Sequence, residues 1–170
     1  MSDQTFDLNT LHEKRSEEAA VREANAFRTL RTGNYRLTVE KAEGRIASDK
    51  SPWPGAEMVH LQIDAKPTVE GERGGKMFVD ITYQTLRRAD GSLDGPTKLW
   101  GQYEKALGVT GKSAGEVVES IRLYPVDGYI TESFKTALGY RTPKTEQERA
   151  EYVRAGYEPR NFLQNVRAAR

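Results

Sequence analysis

Ala20, Ala24, Phe27 and Leu30 recur at intervals of four and three, so residues before Gly33 carry a single apolar stripe at helical spacing. Thr10 and Glu13 have the spacing of a capping box at its start, and Gly33 supplies a left-handed stop. The pattern predicts an amphipathic N-terminal helix that packs on the core or joins copies of the chain. From Tyr35 the period changes to two. Tyr35, Leu37 and Val39 alternate with Arg36, Thr38 and Glu40, which predicts a half-buried strand. The segment SDKSPWPG, Ser48 to Gly55, is a loop by its two prolines and glycine. Val59, Leu61 and Ile63 then alternate with His60, Gln62 and Asp64 in a second strand. The segment GERGGK is a flexible connection to a third strand, in which Met77, Val79, Ile81 and Tyr83 alternate with Phe78, Asp80 and Thr82. Nothing in the alternation stops that strand before Arg87 or Arg88. Three successive antiparallel strands make a meander.

Beyond the Asp90-Gly91 turn, Gly95-Pro96 opens a helix with Leu99, Tyr103, Ala106 and Leu107 on one face and Gly108 at its end. Val117, Val118, Ile121 and Leu123 fit a helix or a strand. VDGYITESFKT has the glycine and β-branched residues of a hairpin. The expected order is a helix-to-strand passage with two final strands. Thr145 and Glu148 form another capping box before a helix stopped by Gly156, and Phe162, Leu163 and Val166 suggest a last short helix.

Composition narrows the function classes. With 170 residues, 36% apolar and 30% charged, the chain suits one core with a large polar surface. It holds no apolar run of membrane-spanning length and no secretory leader pattern, so a cytoplasmic protein is expected. There is no cysteine, and His12 and His60 are the only histidines, which argues against thiolate chemistry and a classical metal site; no cofactor is expected. A net charge of +1 removes bulk attraction to polyanions as an argument, so a nucleic-acid reading depends on where the charges lie.

Three constellations could carry chemistry. Residues Ala106 to Ser113, ALGVTGKS, fit a relaxed phosphate loop, but an amphipathic helix precedes them where an apolar parallel strand is needed; a Gly-bounded connection is the expectation. His60 stands alone on a strand face, His12 with Glu13, Glu17 and Glu18 describes a solvated helix turn, and Asp127 and Glu132 have no evident partner; no catalytic residue is assigned. The third constellation interleaves bases with aromatics. Arg36, Lys41, Arg45 and Lys50 run through the first strand and its loop. Trp53 stands between prolines, Arg73 and Lys76 flank the next loop, Phe78 lies on the non-core face, and Arg87 and Arg88 follow. Rigid aromatics stack on unpaired bases while the cations track phosphates. The plainer alternative caps the core edge with Trp53 and leaves the charges solvated.

The stretch GNYRLTVEKAEGRIASDKSPWPGAEMVHLQIDA, followed by GGKMFVDITYQT and a helix ending KALGV, resembles phage-encoded single-stranded-DNA-binding proteins of the OB fold, found among replication and recombination genes. Gly33, Tyr35, Ala42, Glu43, Met58, Gly75, Lys76 and Leu107-Gly108 carry the likeness, over residues 33 to 110. It implies a mainly β fold with α: an OB-like five-stranded Greek-key barrel with a helix between strands 3 and 4, plus N-terminal and C-terminal helices. Binding falls on the second and third strands and adjoining loops. The implied division is a helical extension at 1–32, the barrel at 33–140 and a helical extension at 141–170.

The implied function is non-enzymatic binding of single-stranded DNA in a host cytoplasm. Arg36, Arg45, Lys50, Arg73, Lys76, Arg87 and Arg88 would contact phosphates, and Trp53 and Phe78 would stack on bases. The final 30 residues, with seven bases against four acids, depart from the acidic partner-recruiting tail of many such proteins. The competing reading is a structural or protein-interaction module, a virion component or an inhibitor of a host system, in which the barrel is a scaffold and the terminal helices join partners or other copies.

Overall fold

The computed structural model describes residues 29–170 apart from 52, 84, 85, 88, 89, 92 and 95–97. The expected N-terminal helix therefore lies outside the described residues, save for the segment from Thr29. The meander is present. Strand β1, Gly33–Ile46, pairs antiparallel with β2, Glu57–Pro67, and β2 with β3, Gly75–Ile81. Tyr35, Leu37 and Val39 of β1, Val59, Leu61, Ile63 and Ala65 of β2, and Met77 and Ile81 of β3 are buried on the inner face. Alternation then forces the polar members of each strand onto one outer face. A bulge at Glu40 shifts the β1 register between Val39 and Lys41, so that Glu40 and Lys41 both serve the outer face.

The third strand stops at Ile81, short of Arg87. Leu86–Arg87 form a two-residue strand β4 paired with β5, Leu93–Asp94. Thr82 Oγ1 donates to the Glu57 carbonyl at 3.0 Å and the Tyr83 hydroxyl to Glu57 Oε2 at 3.0 Å, so the chain turns across the start of β2 instead of continuing the ladder. Helices α1, Lys98–Leu107, and α2, Ala114–Leu123, follow. They bury Leu99, Trp100 and Tyr103, and Val117 and Ile121, against the inner face of the sheet.

The segment VDGYITESFKT is not a hairpin but one strand, β6, Val126–Thr136. Its glycine answers to packing. A Cβ on Gly128 would stand 2.5 Å from Leu37 Cδ1 and 3.0 Å from both the Asn165 carbonyl oxygen and Leu163 Cδ1. The turn falls later, after Thr136, where Gly139 takes φ +99° and opens β7, Gly139–Arg141. Helix α3, Glu146–Arg154, starts at the expected Thr145 cap, which accepts from the Glu148 amide at 3.1 Å.

The expected terminal helix at Phe162 to Val166 is instead strand β8, Glu158–Ala168, paired antiparallel with β6 along its length. The interval of three between Leu163 and Val166 is helical in phase, but a one-residue bulge at Gln164 in the β6–β8 ladder brings both side chains to the buried face of the strand. Within residues 141–170, Glu146–Arg154 form the helix α3 and Glu158–Ala168 belong to the sheet. The sheet runs β3-β2-β1-β6, with β8 on β6 and β7 continuing the side of β6 that β1 leaves.

Asn161 ties the entering chain to this sheet. Its Oδ1 accepts from the Leu30 amide at 2.8 Å and its Nδ2 donates to the Leu30 carbonyl at 2.7 Å, so one side-chain amide replaces a β-bridge. The Tyr35 hydroxyl donates to the Arg31 carbonyl at 2.6 Å and fixes the same segment.

Candidate nucleic-acid interface

On the outer face of the meander the register sets Gln62 opposite Phe78 and His60 opposite Asp80, which makes His60 and Phe78 diagonal neighbours. Their rings stack 5.4 Å apart and 11° from parallel. His60 Nδ1 lies 2.7 Å from Asp80 Oδ1, which holds the imidazole plane, and Phe78 keeps 59% of its surface exposed. A phenyl ring in water at mid-strand gains little by burial, so its value lies in what it presents.

A cleft of about 110 Å³ opens beside the pair, lined by Lys41, Glu43, Arg45, Gln62 and the two rings. The cations around it are partly neutralised. Lys76 Nζ donates to Glu40 Oε2 at 2.8 Å, Lys41 Nζ lies 2.8 Å from Glu43 Oε1, and Arg45 Nη2 stands 4.0 Å from Glu43 Oε2. The hydrogen bond and charge of Lys41, with Arg45 and His60 nearby, hold the Glu43 carboxyl below its ordinary value; Glu40 in the same way pushes Lys76 up. These pairs are exposed and weak, so a phosphate competes for any of the three cations at small cost.

The other expected site residues are scattered. Arg36 turns to the far end of β1, where its Nε donates to Asp127 Oδ1 at 2.6 Å and its Nη2 to the Arg170 carbonyl at 2.7 Å. Trp53 is half-buried with its indole nitrogen below the surface, because Ala47 and Ala56 close the loop tightly and the Trp53 carbonyl accepts from the Ala56 amide at 3.1 Å. Lys50 is exposed on that loop, and neither residue lines the cleft. Arg73, in the β2–β3 connection, lines a separate cavity of about 640 Å³ with Arg31, Glu132 and Arg149. Arg87 lies in β4 and Arg88 outside the described residues. Arg45, Lys76 and Phe78 are therefore the members of the expected set that the meander face brings together.

The sequence reading set His60 aside, left out Gln62, and carried Lys41 in the run of bases but not among the phosphate contacts. Strand alternation already put His60 and Phe78 on the non-core faces of adjacent strands; only the hairpin register makes them neighbours.

ALGVTGKS joins α1 to α2. Gly108 and Gly111 take φ +69° and +82°, and Ser113 caps α2 by accepting from the Glu116 amide at 3.3 Å. A helix delivers this loop, so the strand that aims a phosphate loop is replaced by a helix C-terminus. Among the described residues no group of three or more His, Asp and Glu side chains gathers as a cation site, and no helix is long and apolar enough to cross a membrane. Comparison with known proteins gives no match: no family model, no curated protein and no solved structure.

Proposed function

We propose that the chain is a non-enzymatic single-stranded-DNA-binding protein on an OB-like barrel, working in phage replication or recombination inside the host cytoplasm. The observation that carries the reading is the exposed Phe78 ring stacked on His60 beside Lys41 and Arg45, with Lys76 two residues away on the same strand face. Such a platform takes one base by stacking, at about 1–3 kcal/mol, and lets the cations reach the flanking phosphates. The barrel part of the proposal is supported by strand order. A three-stranded meander is followed by helices, then by β6 beside β1 and β8 beside β6, while β3 and β8 come within 8 Å of each other at the open seam. The OB fold has this order, and its strands 2 and 3 form its usual binding face.

A protein-interaction module is the second reading, favoured by the carboxylates that answer the cations on the same face. Titrating labelled oligo-dT, duplex DNA and single-stranded RNA at two salt concentrations separates the two. Preferred binding of oligo-dT that weakens with salt supports the proposal. Equal indifference to all three probes overturns it in favour of the interaction module.

A further inference from the structure

A second aromatic and basic surface lies away from the meander, where the β6–β7 hairpin, α3 and the start of β8 meet. Its groove, of about 610 Å³, is lined by Leu138, Tyr140, Arg141, Lys144, Tyr152 and Tyr157 among others. That volume falls within the roughly 300–1,000 Å³ of small-ligand clefts. The two sides are held differently from the core. Tyr140 packs edge-on against Phe162 at 5.1 Å, and Arg160 sits over the Phe162 ring at 5.5 Å. Across the groove Tyr152 packs against Tyr157 at 5.8 Å and Phe134 at 5.6 Å, and its hydroxyl donates to Glu148 Oε1 at 2.8 Å. The hairpin tip is also fixed, because Thr136 Oγ1 accepts from the Leu138 amide at 3.2 Å and donates to the Gly139 carbonyl at 2.8 Å. Aromatics pinned in this way lose little freedom when a flat ligand enters.

The charges distinguish this surface from the meander. Among the described residues no carboxylate lies within ion-pair distance of the Arg141, Lys144 or Arg160 side chains, whereas Lys41 and Lys76 are each held by a glutamate; the acid that lines the groove, Glu148, is engaged instead by the Tyr152 hydroxyl and, at 3.4 Å, by the Lys144 backbone amide. At the same place Leu138 is 82% and Tyr140 41% exposed. Apolar surface kept in water beside unpaired cations is the combination that unstacked bases and their phosphates satisfy together. We propose that this groove is a second base-stacking site for single-stranded DNA, with a base against Tyr140 and Tyr157 and the adjoining phosphates on Arg141 and Lys144. The proposal rests on the single-strand-binding reading and extends it from one platform to two, on different strands of the sheet.

The test is photocrosslinking of the full chain to a dT 20-mer carrying 4-thiothymidine, with peptides mapped by mass spectrometry. It is run beside equilibrium titration of the Tyr140→Leu and Arg141→Ser variants. Leucine keeps an apolar contact with Phe162, and Arg141 is exposed, so both variants are built to fold. Crosslinks are expected in peptides holding Tyr140 or Tyr157 as well as in those holding His60 or Phe78. Tyr140→Leu weakens binding about fivefold or more, and Arg141→Ser reduces the salt slope by about 0.7. Crosslinks confined to the meander, with both variants binding as the parent does, overturn the groove and leave the function standing. Crosslinks confined to the groove uphold the inference and remove the meander as the binding face. No crosslinking and no binding at any salt overturn both.

Discussion

Arg149 of α3 grips the carboxylate of Glu132 on β6, with Nε on Oε1 at 2.5 Å and Nη2 on Oε2 at 3.1 Å, while Glu132 keeps 1% of its surface in water. Thr29 Oγ1 donates to the same carboxylate at 2.8 Å, and the Glu132 amide donates to Thr32 Oγ1 at 2.9 Å. The carboxylate in turn holds the Arg149 guanidinium charged more firmly than usual. One buried acid thus fastens the entering chain and α3 to the middle of β6. Arg149→Met leaves that carboxylate to Thr29 and, at 3.9 Å, to Arg31 Nη1, and should cost about 3 kcal/mol, read by urea unfolding; adding Glu132→Leu should recover much of the loss. A single variant as stable as the parent would show that the pair does not hold α3.

Phe78→Ala should leave the urea midpoint nearly unchanged, since the ring is mostly in water, while weakening oligo-dT binding by about 1–3 kcal/mol with an unaltered salt slope. Anisotropy titrations at two salt concentrations check both halves. Lost binding together with lost stability would make Phe78 a packing residue.

Tyr103 is fully buried, and its hydroxyl has no hydrogen-bond partner among the described residues. Burial raises its phenol above the ordinary 10.0, so the folded state holds it neutral where an unfolded chain would ionise it. The stability from this neutral form is complete below pH 10 and is lost as pH rises above that value towards the folded-state pKa. Tyr103→Phe removes both the unsatisfied hydroxyl and the titration. It should raise stability by about 1 kcal/mol at pH 7 and flatten the alkaline loss, measured as Tm from pH 8 to 11. A fall in Tm at pH 7 would mean the hydroxyl is satisfied.

Gly128→Ala should destabilise by about 1–3 kcal/mol, because the added methyl must displace Leu37 and Leu163 and crowds the Asn165 carbonyl in a filled core. Urea unfolding reads this directly, and an unchanged midpoint would show that the β1 and β8 side chains repack freely.

Lys112→Ala should leave both stability and DNA binding as they are, with no ATP binding before or after, since the loop it occupies only links two helices. Ser113→Ala, by contrast, should cost about 1 kcal/mol through the lost α2 cap. Isothermal titration with ATP and thermal melts separate the two; micromolar ATP affinity would restore the phosphate-loop reading.

Period and punctuation made the meander, α1 and the start of α3 legible, because each is written in consecutive residues: the alternation around Leu37, Leu61 and Met77, and the Thr145 cap. What failed depended on distant chain. Gly128 looked like a turn because the side chains of Leu37 and Leu163 that exclude a Cβ arrive from two other strands. Leu163 and Val166 looked helical because a bulge skips Gln164 between them, and a bulge is a property of a pair of strands. At the site, Phe78 was identifiable from its outward phase. His60 was not, because a lone imidazole gains meaning only beside the ring that another strand brings to it.

The side-chain amide of Asn161 that stands in for a strand at Leu30 also bears on how the molecule reaches its native state. That contact spans 131 positions, and the pairing of β8 to β6 cannot be nucleated by a short loop, since β7 and α3 separate them. Domains whose order depends on remote partners fold in milliseconds to seconds rather than microseconds. The early chain has a local meander to collapse on, but β6 waits for β8 to cover one of its edges. Refolding of this protein should therefore be limited by late closure of the sheet, with the meander protected from hydrogen exchange first.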